Sequence, residues 1–466
     1  MKYRRTKIVC TIGPSSWNAN TVKAMYEAGM NVARINGAFA DVAELQRVEK
    51  LIRDISPRIA LMLDIKGHEV RLNKFSEALP IRKGDIIIMG KDSTENIFPA
   101  TFPNLYKDIK VGQKIMMDKG AAGLEVVKIT TDGKIHAKVL FGDKIAPGKG
   151  MNFPGAKLSN EAITDIDKEQ IGYCGKAGWE FVSASFIRNT HDIQVVKEAF
   201  GDSKINLIAK IEDQQGVDNI DEIIEHSDGI MIARGDLGSE LPLEKLPRLQ
   251  KQIIHKCNQK AKPVILATNL LESMTVNIFP TRAEVTDVAN GVMEGTDSLM
   301  TSGETAQGKY PIESVEMLDK IAKETEQYLE PMFISQTPDS SKKFSLFPAH
   351  AIYESSMDPE VDKILVISET GIESKILSRY NLAQPIVAFV SDRIYQNQLN
   401  LTKNVQGYVF TSKQNDKDII VKELIQFALK EKLILNVDRV IITGKVNDKD
   451  SNSPYLFEYF DVSKSL

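Results

Sequence analysis

Short apolar runs rich in β-branched residues alternate with segments of helical periodicity over the first two thirds of the chain. In the helical segment 41–55, for example, Val42, Leu45, Val48 and Ile52 recur at three- and four-residue steps. Strands separated by helices pair in parallel, and eight of them close a (β/α)₈ TIM barrel, whose chemistry lies at the carboxyl ends of the strands. The eight predicted strands are residues 6–12, 31–35, 59–65, 181–185, 205–210, 229–233, 263–268 and 297–301.

The third βα unit of this pattern is interrupted. Between residues 72 and 158, short strands alternate with turn signals such as Pro147-Gly148, which indicates an inserted all-β domain. Because the insertion enters and leaves after the third strand, at the functional rim, we expect it to act as a lid. Further predicted strands follow at 364–367, 386–390, 408–411, 440–443 and 455–462.

The chain is therefore predicted to be an α/β protein of three domains. The last group of strands, with helices between them, indicates a C-terminal three-layer α/β domain. The predicted boundaries are 1–71 and 159–330 for a discontinuous catalytic barrel, 72–158 for the lid and 345–466 for the C-terminal domain. A polar connector at 331–348 joins the barrel to this last domain.

Composition narrows the classes of partner. The 59 Lys and Arg residues against 63 Asp and Glu give a net charge of −4, which supplies no basic field for nucleic acid. No apolar run approaches the roughly 18 residues of a membrane span. Cys10, Cys174 and Cys257 lie far apart and indicate neither a disulfide framework nor a thiolate zinc site. We expect small-molecule substrates, no nucleic acid, no membrane, and a reducing cytoplasm as the location.

Charged residues follow the fifth and sixth predicted strands. Lys210 and Glu212 stand two apart at the end of the fifth and therefore share one face, while Asp236 follows the sixth. Two carboxylates from neighbouring strands suit a hard divalent cation that keeps positions free for phosphate. A lysine beside them would neutralise a phosphoryl group in transfer. A salt bridge at the surface explains the same spacing equally well.

Two hydroxyl-bearing residues and a glutamate lie at the ends of the last two barrel strands. Thr268 closes the seventh strand, and Ser302 and Glu304 follow the eighth. Such groups could bind substrate or relay a proton through water, although capping of the next helix is the more common use of Ser and Thr at these positions. The ends of the second and third strands add a charge-rich rim, which comprises Arg34, Asn36, Asp64, Lys66, Glu69 and Arg71.

Several segments, taken together, resemble the pyruvate kinase family. They occur in the family's order and extend from residue 6 to about residue 328. Each one alone would be unspecific, whereas the set is highly specific. The family's arrangement, a barrel with an inserted β lid and a C-terminal α/β domain, agrees with the organisation read from the residues. The segments are TKIVCTIGPSS (6–16), GMNVAR (29–34), ASFIR (184–188), GIMIARGDLG (229–238), LESM (271–274), PTRAE (280–284) and SGETA (302–306).

The resemblance implies a glycolytic phosphotransferase that moves the phosphoryl group of phosphoenolpyruvate to ADP, giving pyruvate and ATP. At the matching positions, Lys210 would neutralise the transferring group, while Glu212 and Asp236 hold Mg²⁺ or Mn²⁺. Catalysis, including protonation of the enolate, would also involve Thr268, Ser302 and Glu304. A homotetramer is implied as well. The implied binding residues are Arg34, Lys210, Gly235, Asp236 and Thr268 for phosphoenolpyruvate, and Arg34, Asn36, Arg71 and Lys149 for the nucleotide.

One departure from the family pattern concerns a monovalent cation. Where the family usually reads Asn-Phe-Ser-His-Gly, this chain has Asn36-Gly37-Ala38-Phe39-Ala40. Ala38 removes a hydroxyl that would ligate K⁺, and Phe39 replaces a histidine near the nucleotide. Glu69 still supplies the negative charge found in potassium-dependent members. We expect a weakened potassium site whose remaining ligands are Asn36, Asp64 and the carbonyl of Ile65.

A second departure lies in the C-terminal domain. Residues 368–374, Ser-Glu-Thr-Gly-Ile-Glu-Ser, stand in the place of the family's effector-phosphate loop. Glu373 sits where a small hydroxyl residue is usual and would repel a phosphate. We expect weak or absent activation by fructose 1,6-bisphosphate. A purely structural helix cap accounts for the same loop.

Two other classes of function remain open from the sequence. A magnesium-dependent aldolase or lyase could also use Glu212 and Asp236 on an enolate, but its chemistry needs no second phosphate site of the kind that Arg71 and Lys149 indicate. A degenerate paralogue that binds phosphoenolpyruvate in a regulatory role would explain the changes around Ala38. The chain retains every residue that the resemblance assigns a main role in phosphoryl transfer, which argues against a regulatory paralogue.

Overall fold

The computed structural model describes residues 3–67, 69–73, 77–90, 97–118, 120–334, 346–414, 416–445 and 455–464. The chain begins with the predicted alternation of strands and helices. Side chains cap the first two helices, because Asn18 accepts the amide N–H of Thr21 and Asp41 accepts that of Glu44. These first elements are β1 (Lys7–Ile12), α1 (Ala19–Glu27), β2 (Val32–Asn36), α2 (Val42–Ile55) and β3 (Ala60–Ile65).

The segment after β3 is rich in strands, as its turn signals predict, and we call residues 72–158 the lid. Its main sheet has the order β11-β7-β8-β9-β5-β6, and β10 pairs with β4 beside it. Leu124, Val126 and Val139 alternate with more exposed residues and lie in a hydrophobic core of the lid's own. The elements are β4 (Leu79–Pro80), β5 (Ile86–Gly90), β6 (Ile97–Pro99), α3 (Leu105–Asp108), β7 (Lys114–Met117), β8 (Ala122–Ile129), β9 (Ile135–Phe141), β10 (Lys144–Ile145) and β11 (Met151–Asn152).

The barrel pattern then resumes and runs to residue 325. Short 3₁₀ turns at Leu243–Lys245 and Glu272–Thr275 interrupt the connections. The elements are α4 (Asp165–Ala177), β12 (Phe181–Ala184), α5 (Thr190–Phe200), β13 (Asn206–Ile211), α6 (Gln214–Asp218), α7 (Ile220–His226), β14 (Gly229–Ala233), α8 (Arg234–Glu240), α9 (Leu246–Gln259), β15 (Val264–Ala267), α10 (Arg282–Met293), β16 (Ser298–Thr301), α11 (Gly303–Ala306) and α12 (Pro311–Thr325).

Eight of these strands close a barrel in the order β1-β16-β15-β14-β13-β12-β3-β2. The neighbouring strands pair in parallel, as in β12 against β3 and β13 against β14. Val9, Met62, Ile208 and Met231 belong to one fully buried apolar cluster, and a larger cluster packs the strands against the surrounding helices. An apolar interior of this kind leaves the polar chemistry to the carboxyl ends of the strands.

The C-terminal part of the chain forms a five-stranded sheet of order β19-β18-β17-β20-β21, in which only β21 runs antiparallel to its neighbour among the described strands. Separate apolar clusters that contain Ile364 and Leu365 cover the two faces, which gives the predicted three layers. The elements are α13 (Leu346–Ser355), β17 (Lys363–Ile367), α14 (Ile372–Ser378), β18 (Ile386–Val390), α15 (Arg393–Gln398), β19 (Val405–Val409), α16 (Lys417–Lys430), β20 (Arg439–Lys445) and β21 (Tyr455–Asp461).

Predicted and observed strands agree within a residue or two along the barrel. The strand predicted at 408–411 differs, because β19 begins at Val405, where pairing with Ile386 starts, and ends at Val409. Residues 335–345 of the predicted connector lie outside the described residues. Within the described ranges, no helix combines the length and apolar character that crossing a bilayer requires.

Candidate active site

Lys210 lies at the centre of a cluster of charged side chains at the carboxyl end of the barrel. Its Nζ is 3.1 Å from Oδ1 of Asp64 and 3.1 Å from Oε1 of Glu212. It also donates a hydrogen bond to Oγ of Ser185 at 2.7 Å. The strand order explains this meeting, because β3, β12 and β13 are neighbours and parallel strands end at the same rim. Lys210 and Glu212 thus share one face, as their spacing predicts.

Asp64 receives one cation on each carboxylate oxygen. Nε of Arg34 donates to Oδ2 at 2.7 Å, while Lys210 lies against Oδ1. Nη1 of Arg34 also donates to Oγ1 of Thr11 at 2.9 Å, so the guanidinium is held from two sides. Burial alone would raise the pKa of Asp64, but Arg34 and Lys210 outweigh burial and hold that pKa below its ordinary value. Asp64 is therefore an ionised anchor for both cations.

The ammonium charge of Lys210 is secured by its surroundings. Burial by itself would lower the pKa of Lys210, but the carboxylates of Asp64 and Glu212 reverse that effect and raise the pKa above its ordinary value. The side chain is 11% exposed, so the charge lies where water screens it little. A fixed positive charge in such a place stabilises a neighbouring phosphoryl group strongly.

Glu212 and Asp236 come from neighbouring strand ends. Oε2 of Glu212 accepts the amide N–H of Phe186 at 2.8 Å, and Asp236 lies in the first turn of α8, directly after β14. Burial raises the pKa of Glu212, and the charge of Asp236 raises it further against the opposing effect of Lys210. The two carboxyl groups are therefore close enough to act on each other electrostatically.

The donor set fits a divalent cation. Three carboxyl groups, Asp64, Glu212 and Asp236, stand against the two cations Arg34 and Lys210, which leaves an excess of negative charge. Both oxygens of Asp64 and both oxygens of Glu212 already have partners. A metal ion held by Glu212 and Asp236 would therefore share or displace the contacts of Glu212 with Lys210 and with the amide of Phe186. Among the described residues no three His, Cys, Asp or Glu side chains group as metal ligands. Two protein carboxylates suit Mg²⁺, which keeps positions for water and substrate phosphate.

Thr268 presents its hydroxyl beside the first turn of α8. Oγ1 of Thr268 accepts the amide N–H of Gly235 at 2.8 Å and donates to the carbonyl of Ala267 at 2.7 Å. The backbone of Thr268 has a φ of +67°, which a β-branched residue rarely adopts. Arg234 compensates part of this strain, because its Nη2 donates to the carbonyl of Thr268 at 2.7 Å and its Nη1 pairs with Asp287. Strain of this kind is concentrated at functional sites.

Glu304 holds two loops together at the rim. Its Oε2 accepts the amide N–H of Ser302 at 2.7 Å, and its Oε1 accepts that of Leu271 at 3.1 Å. Burial raises the pKa of Glu304, whose residue is only 1% exposed. The structure thus brings Glu304 to Ser302, with the carboxyl group engaged by backbone amides on both oxygens.

The predicted potassium ligands already have partners. Oδ1 of Asn36 accepts the amide N–H of Ala38 at 3.1 Å, and the carbonyl of Ile65 accepts the hydroxyl of Ser185 at 2.8 Å. Both oxygens of Asp64 are paired as well. A monovalent cation would have to share or displace these hydrogen bonds.

The two cations assigned to the nucleotide lie where the lid joins the barrel. Nη2 of Arg71 lies 2.5 Å from Oε2 of Glu69, and Nζ of Lys149 lies 3.1 Å from Oδ1 of Asp118. A cleft of about 900 Å³ opens between the lid and the barrel, and its lining includes Gly235, Asn269, Met116 and Pro154. This cleft borders the first turn of α8 and has the volume of a small-molecule site.

Some residues of the site were not predicted individually. Ser185 contacts Lys210, and Thr11 contacts Arg34. The rule that strand ends meet at one rim could have found Ser185, because it follows β12, which lies between β3 and β13. Phe186 supplies a backbone amide from a φ of +52°, for which the sequence carries no signal.

The fold and the site define a class of protein, a lidded (β/α)₈ barrel with cations and carboxylates grouped at neighbouring strand ends. The family model described as pyruvate kinase, barrel domain, matches residues 3–315, and the model described as pyruvate kinase, alpha/beta domain, matches residues 348–453. The chain belongs to the pyruvate kinase family.

Individual relatives agree with this assignment. The pyruvate kinase of Sporosarcina psychrophila is 37% identical over 457 residues, which cover 95% of this chain and 78% of that protein. The pyruvate kinase of Thermococcus litoralis is 39% identical over 434 residues, which cover 90% of this chain and 91% of that protein. A crystal structure of a pyruvate kinase from Cryptosporidium parvum superimposes with a TM-score of 0.86 at 30% identity, covering 98% of this chain and 96% of that one.

Proposed function

We propose that this chain is a glycolytic phosphotransferase that moves the phosphoryl group of phosphoenolpyruvate to ADP, giving pyruvate and ATP. The observation that carries the proposal is the position of Lys210, 3.1 Å from both Asp64 and Glu212, with Asp236 in the first turn after the neighbouring strand β14. A loose transition state with spread negative charge needs cations and positioning more than a protein nucleophile. The cluster supplies both, and membership of the pyruvate kinase family supports the reaction.

Phosphoenolpyruvate is held by the barrel. Arg34 and Lys210 face its phosphate, while the backbone of Gly235 and Asp236 at the start of α8 and the hydroxyl of Thr268 face its carboxylate end. Glu212 and Asp236 would hold Mg²⁺ or Mn²⁺, and a divalent ion bound there would supply positive charge for the phosphate. Arg34 and Lys210 are positioned in advance by Asp64, so little reorganisation is needed on binding.

After transfer, the enolate of pyruvate must gain a proton. Thr268 and Ser302 carry hydroxyls at the ends of β15 and β16, where they relay that proton through water. Glu304 holds Ser302 by its backbone amide and keeps the two loops in register.

ADP binds where the lid joins the barrel. The cleft of about 900 Å³ is a separate space, because none of the four residues assigned to ADP lines it. Arg71 and Lys149 contact its phosphates from the lid side, which requires each to exchange its present carboxylate partner for phosphate. Arg34 and Asn36 lie on the barrel side of the same nucleotide site. A K⁺ ion would bind only weakly at Asn36, Asp64 and the carbonyl of Ile65, because Ala38 lacks a hydroxyl and these oxygens already accept hydrogen bonds.

Domain limits, assembly and location complete the proposal. The barrel comprises 1–71 and 159–330, the lid 72–158 and the C-terminal domain 345–466, which the separate apolar cores support. The homotetramer rests on the resemblance to the family, and exposed apolar side chains are available for subunit contacts. They include Leu243 (67% exposed), Val276 (59%), Phe279 (71%), Met293 (54%) and, on the edge strand β21, Tyr459 (50%). Three buried free cysteines, Cys10, Cys174 and Cys257, support the cytoplasm.

A coupled assay with phosphoenolpyruvate, ADP and Mg²⁺ tests the proposal, and we expect ATP formation by the unmutated chain. Lys320→Met is the matched control for Lys210→Met, because Lys320 is 68% exposed on α12. An aldolase or lyase would act on pyruvate without nucleotide, and a regulatory paralogue would bind phosphoenolpyruvate without turnover. Absence of ATP formation by the unmutated chain would overturn the proposal.

A further inference from the structure

Glu240, the last residue of α8, connects the barrel to the lid. Its Oε1 accepts the amide N–H of Phe153 at 3.0 Å, and its carboxyl group also bonds the side-chain amide of Asn152. Phe153 belongs to the lid, where its side chain is 3% exposed within the lid's own core. A backbone hydrogen bond at this residue therefore links Glu240 to the packed body of the lid and not to a loose loop.

The other end of α8 belongs to the proposed substrate and metal site. Gly235 and Asp236 lie in its first turn, and the amide of Gly235 donates to Thr268 at 2.8 Å. Arg234 fixes the same end through the carbonyl of Thr268 at 2.7 Å. The helix has seven residues, which at 1.5 Å each span about 10 Å. A helix this short and fixed at both ends transmits the position of one end to the other.

The lid segment that Glu240 contacts leads directly to the two cations at the junction of lid and barrel, Lys149 and Arg71. β11 follows Lys149, and the amide of Met151 donates to the carbonyl of Val70 at 2.7 Å, next to Arg71. Leu72 and Lys149 are joined by a further backbone hydrogen bond of 3.0 Å. The entry and exit strands of the lid therefore move together, and Glu240 fixes the exit strand.

We propose that Glu240 is a positioning residue, which sets the orientation of the lid, with its Lys149 and the adjoining Arg71, relative to the helix that carries Gly235 and Asp236. The inference rests on the proposed function, because it assigns Glu240 to alignment of the nucleotide phosphates with the phosphoryl group held in the barrel. Glu240 itself touches no reacting atom in this account. It lines both the large cleft and a small cavity of about 40 Å³ at the base of the lid.

A carboxylate suits this position because it offers two acceptor oxygens, one of which accepts the amide N–H of Phe153, and because its charge is favoured by the side-chain amide of Asn152. Burial raises the pKa of Glu240 to about 7, and the nearby Asp213 raises it as well, so the position is unfavourable for a charge. Glutamine keeps one acceptor oxygen of the same reach without the charge. Alanine removes both acceptors and leaves the amide of Phe153 without this partner.

The test compares Glu240→Ala and Glu240→Gln in the full chain by steady-state kinetics and by hydrogen exchange of residues 150–154. For Glu240→Ala we expect kcat to fall about tenfold and KM for ADP to rise at least fivefold, with KM for phosphoenolpyruvate within twofold and faster exchange at Phe153. Glu240→Gln should restore kcat to within threefold. Glu244→Ala is the control, since Glu244 is exposed four residues further along.

If Glu240 had only a structural role, Glu240→Ala would lower thermal stability and raise both KM values to the same extent, or it would change none of these quantities. The proposal is overturned if the unmutated enzyme is active and Glu240→Ala keeps kcat and both KM values within twofold, or if KM for phosphoenolpyruvate rises as much as KM for ADP. Failure of the proposed function looks different, because the unmutated enzyme then forms no ATP at all.

Discussion

The hydroxyl of Thr268 accepts the amide N–H of Gly235 at 2.8 Å, which joins the end of β15 to the first turn of α8. Thr268 holds this hydroxyl from a backbone with a φ of +67°. Such a conformation costs of order 1–3 kcal/mol and persists only where the surroundings determine it. The strained residue therefore joins two elements of the proposed substrate site.

Removal of this hydroxyl should damage catalysis more than folding. Thr268→Val keeps the shape and the β-branch, so we expect the Tm to change little while kcat falls about 100-fold, in the range that a proton-transfer group contributes. Thr268→Ser keeps the hydroxyl and should retain kcat within about tenfold. Steady-state kinetics and thermal unfolding of both variants check this, and equal kcat values for the two would count against a role for the hydroxyl.

Potassium should activate this enzyme only weakly. A titration with K⁺ against a large organic cation should change kcat less than about threefold, because the oxygens of Asn36 and Ile65 already accept hydrogen bonds and Ala38 lacks a hydroxyl. Ala38→Ser should increase the activation, whereas Ala40→Ser, two residues on, should not. Strong saturable activation of the unmutated enzyme at low K⁺ is the contradictory result.

The sequence predicted the barrel well because the relevant signals are local. Eight apolar strands and the helices between them appear in the hydrophobic period, and parallel pairing then brings Lys210, Glu212 and Asp64 to one rim. The start of β19 was missed because Gln406 and Gly407 break the apolar pattern, although pairing with β18 includes them. Pairing across a sheet is a tertiary interaction that a local pattern does not contain.

The finer structure of the site depends on such tertiary placement. The engagement of both Glu304 oxygens by the amides of Ser302 and Leu271 needs two separate loops to meet. The contacts of Glu240 also need two distant segments to meet, because Phe153 and Asn152 lie almost ninety residues away in the chain. No spacing rule relates residues at such a distance.

Lys7 should make stability depend on pH. Burial lowers the pKa of Lys7 to about 7, and Arg4 lowers it further, while the Nζ donates to the carbonyl of Val405 at 2.6 Å. Between that value and the ordinary 10.5 the unfolded chain binds a proton that the native chain does not, so stability rises with pH over this interval. The other charged groups that act on Lys7 are Arg58, Glu326 and Asp297.

Lys7→Met removes this titration. The quantity to compare is the Tm of the variant minus the Tm of the unmutated protein. This difference should be larger at about pH 6.5 than at about pH 9.5, by about 2 °C or more. The hydrogen bond to Val405 is lost in the variant at both pH values, so its effect on the Tm cancels in this comparison. What remains is the effect of the titration. A variant whose Tm difference from the parent is the same at both pH values would contradict the shift.

Fructose 1,6-bisphosphate should leave the enzyme unaffected. Glu373 is buried and bonds the hydroxyl of Ser368, which in turn accepts the amide N–H of Gly371 at 2.8 Å, so a carboxylate of the chain lies inside the loop. We expect the half-saturating phosphoenolpyruvate concentration to change less than twofold on addition of the sugar. Glu373→Ser should increase the response, with Glu354→Ser, exposed on α13, as the control. A large drop in the half-saturating phosphoenolpyruvate concentration of the unmutated enzyme on addition of the sugar would contradict this prediction.

The central claim is that the ammonium group of Lys210 stabilises a phosphoryl group in transfer. A rapid-quench single turnover with ³²P-labelled phosphoenolpyruvate, Mg²⁺ and ADP measures that step directly in the unmutated enzyme and in Lys210→Met, with phosphoenolpyruvate binding measured separately. We expect labelled ATP from the unmutated enzyme and a rate lower by about 10³-fold in the variant, as for loss of a preorganised charge. Labelled ATP formed by Lys210→Met within tenfold of the unmutated rate would contradict it.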